Sequence, residues 1–177
     1  MNKSWFAMKV FKNKAFEIEQ YFQGKGVENY IPVQWEEKIR NGEVTKVRKP
    51  VISSLIFVCT EEENVEGLEK ELYPRVHLYR FRQSKQPAVI PDREMDIFKM
   101  VTSVDSEQWD FVDAGSLKFS TNDKVRVTGG IFEGAEGYIK RIKGNRRLIV
   151  AIEGIIAIAT TYIPSCYLEK LQAGNDR

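Results

Sequence analysis

The chain has 177 residues, of which 42% are hydrophobic, 11% aromatic and 29% charged, with a net charge of +2. Three Trp, seven Tyr and ten Phe offer enough burial to offset chain entropy, which excludes a disordered chain. The longest apolar run, Ile155–Ile156–Ala157–Ile158–Ala159, is strand-sized and too short to be a bilayer-spanning helix.

Ser4 to Phe11 is apolar-rich and predicts a first strand. Ala15, Ile18 and Phe22 then recur at helical spacing, and Gly24 and Gly26 close that helix. Val27 to Gln34 predicts a second strand. Asn41-Gly42 is the strongest hairpin signal, because both residues accept positive φ. Its flanks, Glu36–Arg40 and Glu43–Lys49, are charged and predict a ribbon projecting into solvent. The chain turns apolar again over Val51–Cys59. Thr60 and Glu63 have capping-box spacing ahead of a helix carrying Val65, Leu68 and Leu72, which Pro74 stops. Val76–Phe81 and Ala88–Ile90 predict short strands, and a last helix with Met95 and Phe98 starts near Pro91. The order β-α-β-β-α-β with one appended helix is that of a ferredoxin-like split βαβ unit.

Thr102–Ser116 mixes Ser, Asp, Glu and Gly with scattered Trp109, Phe111 and Val112 and reads as a linker. From Lys118 on, about five short strands broken by glycine turns predict a small barrel. The expected fold class is α+β. A ferredoxin-like domain occupies residues 1–101, a linker 102–117, a small β-barrel 118–171 and a tail 172–177.

The start, Met-Asn-Lys-Ser-Trp-Phe, reaches Lys9 without the apolar core of a signal peptide, so a cytoplasmic location is expected. Two cysteines and one histidine supply neither a disulfide scaffold nor a four-ligand metal site. Cys59 and Cys166 read as core thiols, and His77 as a strand residue. Gly-x-Ser-x-Gly, Walker and Gly-x-Gly-x-x-Gly patterns are absent, so no enzyme and no cofactor are expected.

Charge is strongly patterned. Lys38–Lys49 holds five basic residues and one acid, Glu61–Glu71 six acids and one lysine, and Arg75–Lys85 four basic residues and no acid. Separate positive and negative faces follow, suited to local polyanion contact. The hairpin cations admit two readings: a solvated edge that resists aggregation, or contact with nucleic-acid phosphates.

Residues Asn122–Leu148 resemble a KOW motif: a Val-Arg-Val strand, Gly-x-Phe-x-Gly-x-x-Gly, an alternating strand and a basic turn. Trp5-Phe6, Tyr30-Ile31-Pro32, the hairpin leading to Pro50, Phe57-Val58, Pro74-Arg75-Val76 and Ile90-Pro91 resemble the NusG N-terminal (NGN) domain. Together they cover nearly the whole chain in order. Pro50-Val51-Ile52-Ser53-Ser54-Leu55 departs from the housekeeping Pro-Leu-Phe-Pro-Gly-Tyr. It is most similar to the UpxY-type antiterminators of capsular polysaccharide operons, and more distantly to RfaH-type factors. The resemblance implies an SH3-like KOW barrel and a transcription elongation and antitermination factor. Its N-terminal domain would bind the RNA polymerase clamp and suppress pausing and termination.

The resemblance places Phe6, Tyr30, Ile31, Ile52 and Leu55 on or beside the polymerase-binding face. It turns Lys38, Arg40, Lys46, Arg48 and Lys49 toward upstream or non-template DNA or nascent RNA, with Lys9 and Lys12 extending that surface. Phe132, Ile139, Arg141, Arg146 and Arg147 are expected on a KOW surface for ribosomal protein S10, Rho or RNA. A monomer without membrane contact is expected. The competing reading is a KOW-type RNA-binding or ribosome-associated protein.

Overall fold

A computed structural model describes residues 3–104, 106–112 and 124–171. The expected linker positions 113–117, barrel positions 118–123 with Asn122 of the motif, and tail 172–177 lie outside the described residues. The chain divides into two compact units, Met1–Asp92 and Arg93–Arg177. This division falls before the expected boundary at residue 101.

In the first unit the order is β1 (Lys3–Val10), α1 (Ala15–Gly24), β2 (Glu28–Tyr30), β3 (Val33–Arg40), β4 (Glu43–Pro50), β5 (Leu55–Glu61), α2 (Glu62–Leu72) and β6 (Val76–Leu78). Four strands make an antiparallel sheet in the order β2-β5-β1-β6. With the β3–β4 ribbon set aside as an insertion, this is the ferredoxin-like arrangement. One face of the sheet carries Phe6, Met8, Val10, Ile56 and Val58. It shares a core with Ala15, Ile18 and Phe22 of α1 and with Val65, Leu68 and Leu72 of α2. Fully buried side chains such as Phe22 each contribute about 1.5–3 kcal/mol.

The capping box does not form. Thr60 stays in β5 opposite Ser4 and is buried, so its hydroxyl is not at the helix start. Glu61 occupies the N-cap with no side-chain cap bond, and Glu62 and Glu63 place negative charge at the positive end of the helix dipole. The expected strand Val27–Gln34 is interrupted at Ile31-Pro32, since proline brings no N–H to a ladder. Val51 N–H donates to Pro32 O at 2.9 Å and closes the base of the inserted ribbon. Residues 51–54 then turn, so the next strand begins at Leu55 rather than Val51. Ala88–Ile90 makes no strand; Ile90 forms an isolated bridge with Trp5.

The second unit contains α3 (Asp92–Ser103), which buries Met95, Phe98 and Val101. It also holds β7 (Trp109–Val112), β8 (Lys124–Val127), β9 (Glu136–Ile142), β10 (Asn145–Ile152), β11 (Ile156–Tyr162) and β12 (Leu168–Lys170). These strands form one antiparallel sheet, β12-β8-β9-β10-β11-β7. The α+β class is as expected, but β7 lies within the segment read as linker. Trp109 is 3% exposed and pairs with Thr160 of β11. Cys59 is buried as expected, whereas Cys166 is exposed in the 165–167 turn that precedes β12.

Candidate nucleic-acid and partner surfaces

Strand alternation decides which face each first-unit residue occupies. The ladder pairs Trp5 with Cys59, Ala7 with Phe57 and Lys9 with Leu55, and Tyr30 stands opposite Phe57. These residues share the face turned away from α1 and α2. Phe6 points the other way and is wholly buried among the helices, and Ile31 is 2% exposed in the same core. Of the residues expected on or beside a binding face, Phe6 and Ile31 are committed to packing against the helices and do not lie open on it. Tyr30 is half-buried on the second face, Leu55 is on it but 4% exposed, and Ile52 is half-buried in the turn just before.

The β3–β4 ribbon pairs in register from Val33–Pro50 to Arg40–Glu43 around Asn41 (φ 52°) and Gly42 (φ 82°). Both turn residues take the left-handed region that a two-residue hairpin turn requires. Arg48 donates to both oxygens of Glu19 on α1, at 2.7 and 2.8 Å, and its guanidinium lies 4.9 Å from the Phe16 ring centroid. The Glu19 side chain is only 9% exposed. Bidentate contact raises the Arg48 pKa and makes this a strong, directional pair. Arg48, expected on nucleic acid, instead ties the base of the ribbon to the core. Lys49 is also engaged, at 2.6 Å from Glu36, whose carboxyl it holds below the usual range.

Lys38, Arg40 and Lys46 are exposed; Glu37 stands opposite Lys46 and Glu43 opposite Arg40 in the ladder, but among the described residues none of the three, nor Lys9 or Lys12, is in a salt bridge. One ribbon face also exposes Trp35 (65%), Ile39 (79%) and Val44 (61%), with Lys46 between them in register. The arm thus offers aromatic and apolar surface beside exposed cations.

In the second unit Phe132 is 3% exposed and belongs to the interior, which corrects its placement on a partner surface. Ile139 is half-buried opposite Leu148. Arg141 and Arg146 face each other in register and are exposed, while Arg147 is held by Asp110 of β7 at 2.7 Å. Buried Glu136 accepts from Arg126 at 2.7 and 2.9 Å and from Arg93 Nε on α3 at 3.1 Å. The Arg93 hydrogen bond, then that of Arg126, holds its carboxyl below the usual range against the opposing effect of burial. A cleft of about 200 Å³ runs beside Ile131, Tyr162 and Tyr167, all substantially exposed. Among the described residues no cluster of His, Cys, Asp and Glu has the makings of a metal site.

The family model for NusG, described as transcription termination factor nusG, matches residues 3–99. The chain belongs to the NusG family. Among solved structures, one described as "Domain interaction in Thermotoga maritima NusG" is 20% identical, covers 97% of this chain and 99% of its own, and has a TM-score of 0.48. The crystal structure of an MjSpt4:Spt5 complex in conformation B is 16% identical over 97% of this chain and 99% of its own, with a TM-score of 0.30. No curated protein matches the sequence.

This NusG-family chain carries candidate contacts that a reading of charge alone passes over. The ribbon's Trp35, Ile39 and Val44 are scattered among charged residues with no strict alternation; they share a face through the register that the Asn41-Gly42 turn sets. Ile131, Tyr162 and Tyr167 gave no such signal, because their common cleft is assembled from three separate turns and strands.

Proposed function

We propose that this chain is an operon-specific transcription elongation and antitermination factor of the polysaccharide-operon type. It holds the RNA polymerase clamp with Tyr30 on the second sheet face and Ile52 in the turn beside it, with buried Leu55 supporting them from that face. Lys38, Arg40 and Lys46 engage upstream or single-stranded DNA, with Trp35 as a stacking surface. The Ile131–Tyr162–Tyr167 cleft and the β9–β10 hairpin with Ile139, Arg141 and Arg146 take a second partner. No bond is made or broken; the protein acts by binding one state of the polymerase better than another. The family match on residues 3–99 carries this reading. It spans the N-terminal unit and α3 as far as Lys99, which favours a polymerase factor over a KOW-only RNA-binding protein.

Ile52→Glu is expected to weaken capture of purified polymerase at least tenfold, the loss typical of a central apolar anchor, and to abolish readthrough in vitro. Ile52 is half-buried in a turn, so folding should survive. Undiminished capture by the folded variant overturns the assignment of this face.

Neutralising Lys38, Arg40 and Lys46 together is expected to leave polymerase capture intact. It should flatten the slope of log K against log salt on duplex DNA by as much as about 2.7, near 0.9 per phosphate contact. Parallel salt titrations of variant and parent check this; superimposable lines would remove the ribbon from the nucleic-acid surface.

A further inference from the structure

Strand β7 comes from the stretch between α3 and the barrel strands, and the reading above makes no use of it. It pairs antiparallel with β11: Trp109 with Thr160, Asp110 with Ala159, Phe111 with Ile158 and Val112 with Ala157. β7 is the outermost strand on that side of the sheet, so β11 would be the edge without it. A strand edge presents unpaired N–H and C=O groups and is a ready template for another extended chain.

Side chains seat the strand as well. Trp109 is buried, its indole N–H donates to Val104 O at 3.5 Å, and its ring meets Phe111 edge-on at 5.4 Å. Thr161 Oγ1 donates to Gln108 Oε1 at 3.2 Å. Arg147 of β10 reaches past β11 and donates from Nη1 to Asp110 Oδ2 at 2.7 Å. The β10–β11 register shifts between Arg147 and Ile149, next to this contact.

The occupant leaves part of that seat unfilled. It is four residues long, Phe111 is 38% exposed, and the Asp110 side chain is 69% exposed. Arg147 Nε is buried and, among the described residues, has no hydrogen-bond partner. A buried donor without an acceptor is unfavourable. A carboxylate one methylene longer than Asp110 would accept from Nε and Nη1 together, in the forked geometry that arginine favours. A phosphate would satisfy Arg147 but has no ladder to offer β11. A wholly apolar strand would fill the ladder and strand the guanidinium. An extended peptide with an aromatic residue followed by glutamate satisfies the edge, the indole seat and Arg147 at once.

We propose that the β11 edge is a strand-addition site for a partner protein, and that β7 is its resident strap. The partner segment is extended, sets an aromatic residue in the Trp109 seat and a glutamate against Arg147, and enters as β7 leaves. The contact uses neither the β3–β4 ribbon nor Ile52, and it stands independently of the polymerase reading.

The probe is a labelled synthetic peptide spanning Ser106–Val112, read by fluorescence anisotropy against the full chain. A docked strap lowers apparent affinity by the fraction of edges left free, so Trp109→Ala in the chain should tighten peptide binding about tenfold. A peptide carrying Asp110→Glu should bind severalfold better than the parent peptide, and Arg147→Ala in the chain should abolish that preference. In the unaltered chain the amides of β7 should exchange faster than those of β9 and β10, a measurement that needs no variant. A folded Trp109→Ala chain that ignores the peptide overturns the proposal, and so does equal affinity for the two peptides. Exchange in β7 as slow as in β9, or loss of dispersed β8–β12 NMR signals in Trp109→Ala, shows a permanent strand and overturns it too. Dimers of the parent chain that the peptide dissolves overturn it in favour of a second copy as the occupant. Ile52→Glu should bind both peptides as the parent does, so failure of this site and failure of polymerase capture are separable.

Discussion

Gly137→Ala is expected to unfold the second unit. A Cβ at this position would stand 2.2 Å from the backbone oxygen of Ile149 and 3.1 Å from its carbonyl carbon. Both atoms belong to β10, whose pairing with β9 and β11 leaves it no direction in which to yield. Overpacking usually costs about 1–3 kcal/mol, and here the obstacle is main chain rather than a mobile side chain, so the loss should exceed about 3 kcal/mol. Amide NMR spectra supply the readout. Signals of β8–β12 should collapse toward the disordered range while those of β1, β5 and β6 persist. Gly134→Ala is the comparison: it meets only Met100 Cε at 3.8 Å, but its φ of +88° makes a side chain strained. A cost of about 1–2 kcal/mol is expected there. A well-dispersed Gly137→Ala spectrum would show that β10 can move.

Arg48→Ala should destabilise the first unit by about 2 kcal/mol. Breaking a fully buried ion pair costs about 3–5 kcal/mol, but Arg48 is 38% exposed and water partly compensates the stranded Glu19 carboxylate. Urea denaturation checks the magnitude, and hydrogen exchange across β3 and β4 should quicken as the ribbon loses its tether. Glu19→Ala separates two roles for the arginine. If Arg48 is an anchor, removing Glu19 loosens the arm and does not strengthen nucleic-acid binding. If Arg48 is a phosphate ligand, its release from Glu19 raises affinity and steepens the salt slope. The bidentate 2.7 and 2.8 Å geometry and the contact with Phe16 favour the anchor.

Local signals in the sequence announce the structure where local physics decides it. Asn41-Gly42 marked the turn because the turn needs two positive φ angles, and Gly130 and Gly134 sit at φ of 84° and 88° in the KOW pattern. Ala15, Ile18 and Phe22 marked the buried stripe of α1. Failures arose where a distant partner decided. Trp5-Phe6-Ala7-Met8 is apolar at every position, so alternation could not say which set faced the helices. Arg48 looked like its neighbouring cations because Glu19 stands 29 residues away in sequence. Trp109 and Phe111 alternate over too few residues, amid Glu107 and Asp110, to announce a strand that only β11 completes.

The β3–β4 ribbon forms a two-stranded sheet of its own and leaves the ferredoxin-like layer at a base closed by Val51 and Pro32. Its charged and aromatic tips take no part in the core cluster, and Arg48 reaches only Glu19 and the Phe16 ring at the cluster's margin. The arm is consequently a cassette: between Trp35 and Lys46 its content can drift or be exchanged among paralogues while the scaffold folds as before. Divergence in target choice can then accumulate without a matching toll on solubility or yield.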